Sequence, residues 1–360
     1  MLYYIPLLFV PMYVLFIGKY FKYSSKKKIL LLLPFLYLLL LAAFRHESMG
    51  TDYEEYIYWF ETYLETKEMR YNVGWKAVTI LATFISNNYY ALGLVTSLLI
   101  LSIVFYVIST QKGSRYWYLS FIVYIFNPYL YIQSNFNIMR QGASMVIVLL
   151  AFYLLSKNKT WRSMLLIVFA ATFHTSAIFM LVLPIIKKIK FTKRILLFLG
   201  TCSLILSLIL KDSSLIMTLG SILGYDKYAF YEDTMFNFAL YKFFIYAVIF
   251  LLCYYYDRIF DSGKKKFYGN VFILSLCFLE IVLVNDIAYR VYLYFATLHV
   301  ILVPSIVRYA AVKFSRSIAI LIKTVVVAYY VVFFSAFWVT TILNNDTSYF
   351  PYLHYWKMLR

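Results

Sequence analysis

Residues Tyr89 to Ile108 read YYALGLVTSLLILSIVFYVI, twenty positions without a charged side chain. A helix of about 20 apolar residues crosses roughly 30 Å of hydrocarbon while satisfying its own backbone hydrogen bonds, so this stretch predicts a membrane span. Comparable runs lie at about 2–17, 29–44, 116–133, 138–155, 195–210, 239–257, 267–285, 291–308 and 318–338. Together they predict an all-α fold, a polytopic transmembrane helical bundle of about ten spanning helices forming a single integral membrane domain over residues 1–360. Three shorter apolar stretches, 73–86, 164–173 and 176–186, fall below spanning length and read as re-entrant or interfacial pieces. Composition agrees: the chain is 63% hydrophobic and 14% charged, against about 45–50% and 25% in soluble domains. The first run has no basic segment before it and no small-residue cleavage site after it, which predicts a retained anchor with its N-terminus outside.

The net charge of +18 would suit a nucleic-acid binder, but its distribution excludes one. Twenty-two of the 34 basic residues fall in six short links, 18–28, 109–115, 156–163, 187–194, 257–266 and 308–317, which hold only two acids, Asp257 and Asp261. Short basic loops stay in the cytoplasm, so all six are assigned inside. The segments 45–88, 134–140, around His174, 211–238, 286–290 and 339–360 are then exoplasmic. Residues 163–187 must leave and return to one side, which puts His174 at the outer turn of a short hairpin. Cys202, Cys253 and Cys277 lie in or beside apolar runs without metal-ligand spacing and read as packing residues.

Basic residues are depleted at the outer face, so the exceptions there carry information. Arg45, Arg140 and Arg290 stand at the ends of spans. Arg45 opens the string Arg45-His46-Glu47-Ser48-Met49-Gly50-Thr51-Asp52-Tyr53-Glu54-Glu55-Tyr56, in which Thr51 and Glu54 have capping-box spacing and Asp52 would occupy the first helical turn. On that helix Tyr53, Tyr56, Ile57, Phe60 and Leu64 share one face, and Glu54, Glu61, Glu65 and Glu68 another, an interfacial amphipathic pattern. Asp52 projects away from the acidic face. It serves either the helix dipole or chemistry.

Arg140 stands in Asn135-Phe136-Asn137-Ile138-Met139-Arg140-Gln141-Gly142-Ala143-Ser144, where the small residues permit close helix packing and the arginine either turns inward or snorkels to lipid phosphate. His174, in Phe173-His174-Thr175-Ser176-Ala177, joins two half-length helices as a capped structural or a reactive histidine. Arg290 follows Asn285-Asp286-Ile287-Ala288-Tyr289 and can pair with Asp286 four residues before it. Glu280 lies inside a span, with Arg290 its expected partner, and His299 reads as a packing histidine. Three arginines, a carboxylate and an imidazole at one outer face, amid 21% aromatic residues, describe a site for an anionic, polar, partly lipidic ligand, since arginine suits bidentate phosphate recognition.

The string from Arg45 to Tyr56, the pair Arg140-Gln141 with its small residues, the Phe173 to Ala177 turn, and Tyr289-Arg290 with the aromatic tail Val291 to Phe295 resemble, in matching order, the EpsG-like family of Wzy-type polysaccharide polymerases. The resemblance implies a glycosyltransferase of the bacterial plasma membrane. It would join undecaprenyl-diphosphate-linked oligosaccharide repeat units at the outer leaflet, building capsule, exopolysaccharide or O-antigen. It would work beside membrane lipid, a flippase and a chain-length regulator. Arg140 and Arg290 are then expected at the diphosphate, Asp52 or His174 as general base, and Arg45, Tyr53, Tyr56, Gln141 and Tyr289 as substrate contacts. No cofactor or metal is expected, because no acidic pair or His/Cys cluster has cation spacing. Two other classes remain. A flippase or transporter of the same lipid-linked oligosaccharide would be expected to show internal repeats and midplane polar groups. A membrane O-acyltransferase would need an intramembrane histidine, for which His299 is the candidate.

Overall fold

The computed structural model describes residues 31–110, 116–209, 239–282 and 286–343, with six further positions between 10 and 17; for 239–240, 282, 286–288 and 336–343 it describes the backbone alone. Most of the first expected span, the lysines of 18–28, the loop 211–238, the Asp286 side chain and most of the tail 339–360 lie outside the described residues.

Every regular element among the described residues is helical. In chain order these are α1 (Leu32–Ala43), α2 (Tyr53–Thr66), α3 (Val73–Thr83), α4 (Tyr90–Thr110), α5 (Tyr118–Phe126), a π-helical turn (Gln133–Asn137), α6 (Met139–Ser156) and α7 (Thr160–Ala171). There follow a 3-10 turn (Thr175–Leu181), α8 (Val182–Lys188), α9 (Lys193–Ile209), α10 (Ala239–Tyr254), α11 (Tyr256–Ile259), α12 (Gly263–Val282), α13 (Asp286–Lys313) and α14 (Arg316–Leu343). Four stretches, Tyr90–Thr110, Met139–Ser156, Tyr289–Lys313 and Arg316–Ser335, are long and apolar enough to cross a membrane.

One expected span is broken. The run 116–133 is helical only as α5, because Pro128 has no N–H to donate and forces Asn127 into an extended conformation, with ψ at 107°. The chain resumes in the π-helical turn, where the Ile138 N–H reaches back to the Gln133 carbonyl at 2.9 Å. The three sub-span stretches fall on α3, on α7 and on the 3-10 turn with α8, all short elements as their length requires.

Packing divides the chain into two compact units, Met1–Met180 with Thr297–Arg360, and Leu181–Ala296. In the first, α4 packs against α1, α3 and α6, and α6 packs against α7 and the π-helical turn. The buried face of α4 carries Ala91, Gly93, Thr96 and Ser97, small side chains that let helix backbones approach closely where lipid supplies no hydrophobic drive. Gly142 does the same for α6: a Cβ there would lie 2.5 Å from the Ser134 carbonyl oxygen, so no larger residue permits α6 to seat on the π-helical turn.

In the second unit α9, α10 and α12 pack together, with α8 against α12. Lys193 bridges Asp257 at 3.1 Å, placing the basic links 187–194 and 257–266 at one end of these helices. The largely apolar core of this unit encloses a few polar groups. Ser203 donates to the fully buried Glu280, and Lys242, only 2% exposed, donates to the Ser207 carbonyl at 2.8 Å and lies close enough to act on Glu280. The expected pairing of Glu280 with Arg290 is therefore corrected. Arg290 is exposed on α13, and Glu280 is held by α9 and α10.

Candidate functional site

The site is built where the 45–56 segment meets the segment 133–140. Gly50 has φ +103°, and a Cβ added to it would lie 1.9 Å from the Phe136 carbonyl oxygen. Only glycine combines that backbone with so close an approach. One residue on, Asn137 takes over the capping. Its Oδ1 accepts from the Thr51 hydroxyl and from the Asp52 N–H, both at 2.7 Å, and its Nδ2 donates to Gln133 Oε1 at 3.3 Å. The expected capping box does not form, because the Thr51 hydroxyl is spent on Asn137, and Asp52 becomes the N-cap of α2 rather than a first-turn residue. Its carboxylate makes no cap hydrogen bond.

The amphipathic reading of α2 holds. Tyr53, Tyr56, Ile57 and Phe60 are buried and Glu54, Glu55, Glu61, Glu65 and Glu68 are exposed, with Leu64 half-buried at the edge.

Arg45 lies wholly inside. Its guanidinium donates to the carbonyls of Ala42 and Met49, contacts Met139 Sδ at 3.0 Å and stands 3.5 Å over the Tyr53 ring. It fastens the end of α1, the loop and the start of α6 together. Tyr53 is equally enclosed. Burial raises its hydroxyl pKa, Arg45 opposing and Glu47 adding to the rise.

Arg140 is placed differently. It is half-buried in the first turn of α6, its guanidinium carbon 3.9 Å over the Tyr71 ring and 5.8 Å from that of Tyr56, and its Nε has no hydrogen-bond partner. Burial pushes the Tyr56 hydroxyl up to about 12; the Asp52 carboxylate adds to this and Arg140 opposes it. Asp52 and Arg140 thus both lie within electrostatic reach of the Tyr56 hydroxyl. Tyr71 is raised as well, by burial first and by Glu55 second. Trp75 of α3, fully buried, closes the aromatic wall at 5.1 Å from Tyr56, and its indole N–H is unpartnered.

His174 stands at the hinge between α7 and the 3-10 turn, half-buried, its Nδ1 2.6 Å from the Ser176 hydroxyl. The hinge is docked on α3, because the Gly74 N–H donates to the Thr172 carbonyl at 2.9 Å. His174 is linked to Arg140 through that hinge, Trp75 and Tyr56. Gln141 is 4% exposed, buried within the first unit. Tyr289, half-buried, and Arg290, exposed, lie in the first turns of α13 in the second unit. His299 packs against the Tyr330 hydroxyl at 3.4 Å, as a core histidine would. Among the described residues, no three His, Cys, Asp or Glu side chains gather into a set that could hold a metal ion.

Asn137, Tyr71 and Trp75 join the site without having been expected there. Asn137 could have been found, since it lies three residues before Arg140 beside a helix start. Tyr71 and Trp75 carry no local signal, because in a chain with 38 Tyr and 6 Trp an aromatic residue marks nothing by itself.

Apolar helices of spanning length, with a cation, a carboxylate and an aromatic wall gathered at the end of one of them, define a polar-site helical membrane protein. The family model for EpsG matches residues 28–354, nearly the whole chain. The chain belongs to the EpsG family, and is a polysaccharide polymerase-like membrane protein. Among curated proteins no match is found, and among solved structures none.

Proposed function

We propose that this protein is a polysaccharide polymerase that joins oligosaccharide repeat units carried on undecaprenyl diphosphate at the outer face of the bacterial plasma membrane. The observation that carries this reading is Arg140: a half-buried guanidinium stacked on Tyr71, with Nε unpartnered and the Asp52 charge within electrostatic reach of the neighbouring Tyr56 hydroxyl. A desolvated, preorganised guanidinium suits a diphosphate, and an adjacent carboxylate suits removal of a hydroxyl proton.

In the proposed step an acceptor hydroxyl attacks the anomeric carbon of the donor glycan. The new glycosidic C–O bond forms as the C–O bond to the diphosphate breaks. Asp52 takes the hydroxyl proton, and undecaprenyl diphosphate departs with its developing charge against Arg140. Tyr56 is assigned the orientation of the Arg140 guanidinium toward the ligand. Arg45 and Tyr53 hold the loop from within, which their burial favours over direct contact. Asp52 is preferred to His174 as base because it shares Tyr56 with Arg140, whereas His174 Nδ1 is engaged by Ser176.

The test is deletion of the gene in its host and complementation with the wild type, Arg140→Ala or Arg140→Lys. Arg140→Ala should lose long polymer and accumulate single lipid-linked units on the outer leaflet at unchanged protein level, a fall of about 100–1000-fold in turnover for one preorganised charge donor. Arg140→Lys keeps the charge without the planar fork and should recover only part. Normal polymer with Arg140→Ala would refute the site. Units trapped on the inner leaflet in the deletion would make the protein a transporter.

A further inference from the structure

The π-helical turn places two groups of different kind on one short piece of backbone, Asn137 and, three residues on, Arg140. Single π-helical turns in otherwise α-helical segments are frequent at functional sites, because the extra residue re-aims side chains that a regular helix would send elsewhere. Here the piece is clasped between Gly142, seated on Ser134, and Gly50, seated on Phe136. Neither contact leaves room for a Cβ, so the backbones on both sides are fixed in register.

On that fixed piece the Asn137 amide does what the sequence assigns to Thr51. Its Oδ1 accepts both the Thr51 hydroxyl and the Asp52 N–H at 2.7 Å, while its own Nδ2 is oriented by Gln133 Oε1. An aspartate at an N-cap ordinarily folds its carboxylate back onto the N–H groups of the first turn. Asp52 makes no such bond, and its carboxylate lies within electrostatic reach of the Tyr56 hydroxyl, over whose ring the Arg140 guanidinium stands at 5.8 Å.

We infer that Asn137 is a positioning residue: by clamping the Thr51 hydroxyl and the Asp52 N–H to the segment that carries Arg140, it sets the carboxylate of Asp52 against that arginine. The inference rests on the proposed role of Asp52 as base. Asn137 touches neither substrate nor reacting atom in this account; it acts through Asp52. A misplacement of about 1 Å in such a group can cost about 100-fold in rate while binding is little changed.

The experiment uses full-length protein in membranes and lipid-linked repeat units extracted from the deletion strain. Asn137→Ala should lower turnover by about 10–100-fold at a KM within about threefold of wild type. Thr51→Val, which removes one of the two clamped donors, should lose less, and Thr51→Ser should restore wild-type turnover by returning the hydroxyl. Asp52→Asn is run alongside. If Asp52→Asn remains active, the assignment of the base fails and this inference falls with it. If Asp52→Asn is inactive while Asn137→Ala turns over normally, the clamp alone is refuted. A loss that appears wholly in KM, or only as reduced membrane-inserted protein, also overturns the inference. So does equal damage from Thr51→Val and Thr51→Ser.

Discussion

Replacing Gly50 by alanine should unlatch the 45–56 segment without unfolding the bundle. Two costs add. A non-glycine residue at φ +103° is strained by about 1–3 kcal/mol. The new Cβ would lie 1.9 Å from the Phe136 oxygen, far inside contact distance, so the two segments must part by more than a fraction of an ångström and the two Asn137 bonds at 2.7 Å lengthen or break. At about 1 kcal/mol for each lost hydrogen bond, the sum is roughly 3–5 kcal/mol. That shifts the latched-to-open ratio by about a hundredfold to a few thousandfold. Met49, fully buried beneath the latch, reports on it. In a chain whose Cys202, Cys253 and Cys277 are replaced by alanine, Met49→Cys should react slowly with a membrane-impermeant maleimide. Adding Gly50→Ala should accelerate labelling by two orders of magnitude or more at unchanged protein level. Gly263→Ala, where an added Cβ meets nothing within 4 Å, is the control and should leave the rate alone. Equal labelling rates with and without Gly50→Ala would refute the latch and, with it, the close seating of Gly50 on Phe136.

Two further outcomes follow from the same structure. In the second unit, Lys242→Met should lower the melting temperature in detergent more than the double variant Lys242→Met with Glu280→Gln, because the single change leaves the buried Glu280 carboxylate without the nearby positive charge; a double variant less stable than either single would refute that electrostatic coupling. In the first, the Tyr56 hydroxyl is raised to about 12 from an unfolded value near 10, so its contribution is whole below pH 10 and is lost as pH rises through 12. Limited proteolysis of the 45–88 loop should therefore stay constant from neutral pH to about 10 and increase beyond it, and Tyr56→Phe should reduce that alkaline limb, with the buried Tyr53 and Tyr71 hydroxyls, also raised, supplying the remainder.

The helical frame was legible because lipid leaves the chain few options: apolar run length and basic-link spacing carry it, and α4, α6, α13 and α14 lie on expected runs. The run 116–133 misled because apolarity is blind to Pro128, which ends α5 regardless of how hydrophobic its neighbours are. Around the site, sequence picked out Arg45, Asp52, Arg140 and His174 by type and position, yet type could not separate their surroundings. Arg45 and Arg140 look alike at span ends, and one is sealed among backbone carbonyls while the other keeps an unpartnered nitrogen. The capping box failed for a related reason. Thr51 and Glu54 have the right spacing, but a partner 86 residues away competes for the Thr51 hydroxyl, and no local rule registers a residue that distant.

That contrast between the two arginines bears on how a site in a membrane protein can hold charge at all. A guanidinium that is fully hydrated gains little from meeting a phosphate, while one wholly committed to protein acceptors has no donor to offer. Arg140 sits between these limits. The Tyr71 ring at 3.9 Å supplies attraction through its face without consuming an N–H, so the cation is partly desolvated and its Nε remains to be satisfied. Arg45 takes the opposite part, spending its donors on Ala42 and Met49 so that the segment bearing Asp52 stays where Arg140 can meet it. Exchanging the roles would fail on both counts, since an arginine at 45 with donors to spare would leave the loop untied. On that division of labour, Arg45→Lys should weaken the latch read at Met49→Cys, whereas Arg140→Lys should leave that labelling unchanged and impair polymer formation alone.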